Sequence, residues 1–194
     1  MTYIIKFFVI LIFLNSCAGF TYSNLYPAFK NFVISSEIEV DKELFESQIA
    51  SFAKVRLGRN SVAILSLAYI NNGVYQWVSS TNEIIFTKNG KIIKTIGLPY
   101  NINILDSYRF EFRDGTIDYL LRLSNPDATF YQKSTFIYPK IKEEAYKLVE
   151  IVETSGYKFR HKNYYYFDSN NQLFRTEQKI HPNLPLIEMD FYFK

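Results

Sequence analysis

Few side chains in this sequence are of types that could carry chemistry, and they are widely spaced. Cys17 is the only cysteine among 194 residues, which rules out an intrachain disulfide and a cysteine metal cluster. Two histidines, His161 and His181, are too few for a histidine-rich metal site, and no cofactor is expected. Glu111, Asp114 and Asp118 lie close together, and paired carboxylates are what glycoside hydrolysis requires. Asp114 is equally explained by an Asp-Gly turn. His181 sits just before Pro182 without an evident partner, so it reads as a loop histidine on the surface. There is no P-loop, no H-E-x-x-H and no G-x-S-x-G, so no catalytic residue is assigned.

The remaining candidates are binders. Trp77 is the single tryptophan, and on a strand it either fills the core or offers a flat face for a sugar. Tyr164, Tyr165 and Tyr166 are consecutive, and a strand period of two must send them to both faces. Arg109 and Arg113 share the polar face of an alternating run, where they would meet an acidic polymer or only solvent. Trp77, Arg109, Arg113 and Tyr165 are therefore the candidate contacts for a glycan or a protein partner. A formal charge of +3 with no block of like charge gives no argument for nucleic acid.

The elements that must position these residues are mainly strands. Aromatics reach 18%, nearly all Tyr and Phe, which suit pleated, half-buried surfaces. Residues 41–50 predict a short helix, with Asp41 as its cap and Leu44, Phe45 and Ile49 on one face. Ala53, Val55 and Leu57 then alternate with Lys54 and Arg56 as a strand. Asn71-Asn72-Gly73 and Asn89-Gly90 mark tight hairpin turns between apolar runs. A further hairpin is expected around Asp114-Gly115, with Tyr108, Phe110 and Phe112 on one face. Residues 129–139 read as another strand. Residues 141–153 fit either a helix or a strand, with the strand preferred. One more hairpin turns at 169–172, and a last strand follows Pro182 and Pro185. The predicted fold is mainly β: an antiparallel meander forming a curved sheet or partly open barrel, with one or two short helices.

The N-terminus reads as an address. Lys6 precedes the apolar run Phe7–Leu14, which is far shorter than the roughly 20 residues a spanning helix needs. Leu14-Asn15-Ser16-Cys17 resembles a bacterial lipobox, which implies cleavage before Cys17 and acylation of it. Residues 1–16 are then a signal peptide, 17–26 a lipidated tether, and 27–194 a single β-rich domain. Ala18, rather than Asp, after the cysteine suggests the outer membrane, with the domain facing the periplasm.

Two stretches resemble the YjbF/GfcB-type lipoproteins of group 4 capsule and exopolysaccharide loci. The first carries Leu67-Ala68, Trp77-Val78-Ser79, Asn89-Gly90 and Thr95 through Leu98 in order, with Lys91 and Lys94 where that family often has Arg. The second is the aromatic-Asp, turn and Pro-x-x-Pro ending from Asn163 to Phe193. The resemblance implies an outer-membrane lipoprotein, not an enzyme, that helps assemble or export a surface polysaccharide. It would bind the polymer or an outer-membrane export protein. Two other functions remain open. A half-barrel lined by Phe and Ile would carry a lipid or lipoprotein, and a carboxylate pair across a cleft would make a polysaccharide hydrolase.

Overall fold

The computed structural model describes residues 39–59, 61–107, 110–112, 115–139, 145–156 and 158–194. The segment with Cys17, and Arg109, Arg113 and Asp114, lie outside the described residues. One short helix, α1 (Lys42–Ser47), precedes twelve strands. These are β1 (Phe52–Leu57), β2 (Ser61–Asn71), β3 (Val74–Val78), β4 (Ile84–Lys88), β5 (Lys91–Ile96) and β6 (Ile102–Ile104), followed by β7 (Gly115–Leu123), β8 (Ala128–Ile137), β9 (Tyr146–Thr154), β10 (Phe159–Phe167), β11 (Leu173–Gln178) and β12 (Ile187–Tyr192). Each strand pairs antiparallel with its sequence neighbours, and β1 pairs with β12 to close the barrel. Closure leaves no open sheet edge, the hazard that an unpaired strand carries.

The turns form where the sequence requires them. Asn72 and Gly73 have φ of 50° and 74°, and Asn89 and Gly90 have 49° and 78°. Positive φ at both positions is the type I′ geometry that Asn-Gly supplies with least strain. Asp41 caps α1 by accepting from the Leu44 N–H at 2.8 Å. The helix stops at Ser47, so Ile49 falls outside it and is fully exposed instead of joining Leu44 and Phe45 on one face. Phe45 packs toward Phe52 and Tyr192, which holds the helix beside the β1–β12 seam.

One expectation needs correction and one open choice is settled. The hairpin around Asp114-Gly115 is not what pairs β7: residues 110–112 are not in a strand, and β7 lies between β6 and β8. The three-residue β6 takes the position, with Ile102 opposite Leu123 and Ile104 opposite Leu121. With that edge of β7 occupied, Phe110 is fully buried and packs on Phe136 and Tyr119 inside the barrel. The ambiguous segment resolves as strand β9 from Tyr146 onward.

The outer wall is charged. Arg175 reaches Glu188 at 2.8 Å, Glu177 at 3.3 Å and Asp190 at 3.7 Å, and Arg56 meets Glu188 at 4.0 Å. A lipid-facing barrel needs an apolar outer band, so this wall faces water. No helix among the described residues is long and apolar enough to cross a membrane.

The inside is filled. Gln178 of β11 crosses the lumen to β5, accepting from the Ile92 N–H at 2.9 Å and donating to the Gly90 carbonyl at 2.7 Å. Neither strand is the other's neighbour in the barrel order, so this side chain draws opposite walls together. Lys91 also points inward and pairs with Glu150 of β9. Asn163 and the Tyr165 hydroxyl donate to the same carboxylate at 2.9 and 2.7 Å. Lys91 also lies 5.5 Å from the Phe110 ring centre and 5.4 Å from that of Tyr119. Burial pushes the Glu150 carboxyl up, but the Lys91 ammonium and the hydrogen bonds from Lys91, Ser134 and Asn163 outweigh it and hold the group below the usual carboxylate range.

One end of the barrel is closed by the β11–β12 connection, residues 179–186. Its Ile180, His181 and Leu184 are buried. His181 is therefore not a surface histidine. Its ring stacks on Tyr100 at 4.9 Å, Nδ1 accepts from the Asn183 N–H at 3.0 Å, and Nε2 lies 3.2 Å from the Ser124 carbonyl. That arrangement suits the neutral ring, with its proton on Nε2.

The buried ion pair gives a direct test. Lys91→Met leaves Glu150 buried without its counter-charge, and is expected to cost about 3–5 kcal/mol in urea unfolding. Adding Glu150→Gln, which keeps groups for Asn163 and Tyr165 to bond, should recover most of the loss. A second test concerns acid. Burial, with Lys91 and Lys179 acting in the same direction and Glu150 against it, pushes His161 from 6.5 down to about 4. Between those values the unfolded chain takes up a proton that the folded chain refuses, so stability falls as pH drops through that window. His161→Gln should flatten the fall between pH 7 and 4.5 by up to one proton's share, about 1.4 kcal/mol per pH unit.

Candidate functional site

The other end of the barrel is open. There the β4–β5 turn meets the β10–β11 turn, and Gly90 lies so close to Leu173 that it has no room for a side chain. Around this contact is a cavity of about 340 Å³. Its walls are mostly rings: Tyr75 and Trp77 of β3, Phe191 and Phe193 at the end of β12, Phe167 of β10, and Phe112. Strand alternation delivers them, because Tyr75 and Trp77, and Phe191 and Phe193, are two residues apart and so share a face. Tyr75 stacks on Trp77 with centres 6.0 Å apart and planes 12° apart, and Phe191 stacks on Phe193 at 6.0 Å and 15°. Among the rings stand the side chains of Asn89, Asn171 and Gln172, all from the two turns.

The floor is fixed from below. Trp77 is fully buried and donates its indole N–H to Thr87 at 2.9 Å. Phe112 packs edge-on against Tyr165 at 5.1 Å and Phe167 at 5.9 Å. Beneath that layer lies the Glu150 cluster, where burial and then the Glu150 charge hold the Tyr165 phenol well above its ordinary value. Tyr165 therefore stays protonated and donates to Glu150. Below the floor, the described lumen is occupied by Gln178 and by the Lys91–Glu150 pair rather than by apolar space of the kind a lipid-carrying half-barrel needs.

The structure thus separates the residues that the sequence singled out. Trp77 is fully buried in the core beneath the cavity, as its core reading expects. Tyr165 lies one layer below the lining, on the inner face of β10, while Tyr164 and Tyr166 point outward. Glu111 and Asp118 are exposed and do not line the cavity. The described lining carries neither an acid nor a base, and no group of acids, histidines or cysteines among the described residues could hold a metal ion. Sequence reasoning missed Tyr75, Phe191 and Phe193. Their i, i+2 spacing to Trp77 and to each other was visible, but the pairing of β1 with β12, which brings β12 round to β3's side of the barrel, was not.

Residues 22–191 match the family model described as group 4 capsule polysaccharide lipoprotein gfcB, YjbF. No curated protein matches the chain. The fold is similar to the crystal structure of the hypothetical lipoprotein YmcC from Escherichia coli K12, with a TM-score of 0.66 and 19% identity, over 91% of this chain and 96% of that one.

Proposed function

The chain belongs to the YjbF family of group 4 capsule polysaccharide lipoproteins, and from that membership we propose a non-enzymatic accessory factor in the assembly or export of a capsule or exopolysaccharide. It is held on the outer membrane, facing the periplasm, by acyl chains on Cys17, and it binds the polymer through the ring-lined cavity. The observation that carries this reading is the lining itself. Sugar rings have apolar faces edged by hydroxyls, so they stack on aromatic planes while their hydroxyls bond to nearby amides. The half-buried Tyr75 and Phe193 supply planes above the buried Trp77, and the exposed Asn89, Asn171 and Gln172 supply amides that both donate and accept. β1 starts at the open end, where Phe52 pairs with Tyr192.

Two measurements test the reading. Trp77 is the only tryptophan and forms the cavity floor, so its emission should change when the purified surface polysaccharide of the producing cell is titrated in. Phe193→Ala removes one rim plane with little disturbance of the core. It should weaken binding about two- to tenfold, the effect of roughly 0.5–1.5 kcal/mol for one aromatic contact. An unchanged midpoint would place the polymer elsewhere. For the anchor, Cys17→Ala should move the protein from the membrane fraction to the soluble fraction. Retention in membranes at the native level would remove the lipid-anchor assignment.

A further inference from the structure

The cavity is blind. A glycan that entered it and continued along the barrel axis would meet three barriers in turn. The first is the floor of Trp77, Phe112 and Phe167. The second is the cross-lumen layer, where Gln178 ties β11 to β5 and Lys91 pairs with Glu150. The third is the 179–186 connection, whose Ile180, His181 and Leu184 fill the far end.

Among the described residues no sideways exit is open: on the β5–β6 side, where pairing is at Lys94 and Asn103, the buried Phe110 fills the space beside Lys91. The strands around the cavity stay paired up to its rim: Phe52 with Tyr192, Val74 with Lys88, Lys88 with Lys91, and Phe167 with Leu173. A hydrogen-bonded strand pair, with its neighbours less than 5 Å apart, leaves no gap for a sugar ring. An internal sugar of a polymer carries chain on two sides, and this cavity gives the chain only one way in and out. Its volume of about 340 Å³ lies at the low end of ligand pockets, roughly 300–1,000 Å³, with room for only a short segment.

The described part of the lining also bears on the charge of that segment. The described lining residues include no acid, lysine, arginine or histidine. An acidic sugar placed among these rings would lose hydration without gaining a counter-charge, which is costly in a ring-lined site.

We infer that the cavity takes the end of a glycan chain, a short run of terminal uncharged sugars, and not an internal stretch of polymer. This rests on the polymer-binding reading above and adds the part of the polymer that is recognised. A protein that holds chain ends counts chains, not polymer mass, which suits a step that acts once per chain.

The test uses the full-length protein, the Trp77 emission signal, and the surface polysaccharide of the producing cell in two forms. One is intact. The other is partly depolymerised to give about tenfold more chain ends at the same sugar mass. End recognition predicts that the half-saturating sugar mass falls about tenfold on depolymerisation, and that it is unchanged between 50 and 500 mM NaCl. A half-saturating mass that stays level or rises on depolymerisation overturns the inference and leaves polymer binding standing. Loss of binding with added salt overturns the uncharged assignment. No binding of either form overturns the polymer-binding reading itself, and the inference with it.

Discussion

A barrel of twelve strands encloses more space than side chains from a round wall can fill. Eight strands give an interior that side chains just pack, and sixteen or more leave a channel. This protein resolves the excess by drawing opposite walls together. Gln178 reaches from β11 to the backbone of β5, and Lys91 reaches from β5 to Glu150 on β9. Both contacts start at the β4–β5 hairpin. The Asn89-Gly90 turn therefore sets more than a local reversal: it places Lys91 in the lumen and brings Gly90 against Leu173. The rest of the interior is arranged around that crossing.

An ionised pair in such a place is tolerable only because its hydrogen bonds are met. Glu150 receives Lys91, Asn163 and Tyr165, and Asn163 in turn accepts from the Lys179 N–H at 2.9 Å, which ties the cluster to the start of the closing connection. Removing a charge from water is expensive, and a buried pair repays it only with such additional bonds. The cluster gives the lumen a rigid middle. Above it the aromatic floor is held in place, and below it the 179–186 connection seats. Among the described residues the buried carboxylate of this layer, Glu150, is committed to structure, and the cavity above it has rings and amides instead. Acid–base chemistry and stacking are thus kept in separate layers of one interior.

The family's sequence marks acquire physical meaning in this setting. Leu67 sits opposite Trp77 across β2 and β3, next to a bulge, and Thr95 accepts from the Ile102 N–H at 3.1 Å where β5 turns into β6. Gly97 has φ of 83°, and a Cβ there would lie 3.3 Å from the Glu83 Cα, so a side chain would be both strained and crowded. The Asn163-to-Phe193 ending supplies the Glu150 partners, the lumen-crossing Gln178, the closing connection and two rings of the cavity. The residues that carried the resemblance are mostly those that fill and shape the barrel.

The sequence alone determined the local part of this protein. The alternation of β1, the Asn-Gly turns and the Asp41 cap depend on neighbours a few residues apart, and each formed as read. The preference for a strand within 141–153 held from Tyr146 onward because Leu148, Glu150 and Val152 share a face, though the charged member of that face gave no sign of its partner. Tertiary structure decided the rest. Lys91 and Glu150 are 59 residues apart, and Trp77 meets Phe191 only because β1 closes on β12. His181 looked exposed before a proline, yet Tyr100 and Ser124, far away in sequence, bury it. Phe110 and Phe112 alternate like a strand but fill space instead, because β6 had already satisfied the edge of β7. Hydrogen-bonding periodicity is written into neighbouring residues, whereas filling a closed interior depends on which distant side chains the closure brings face to face.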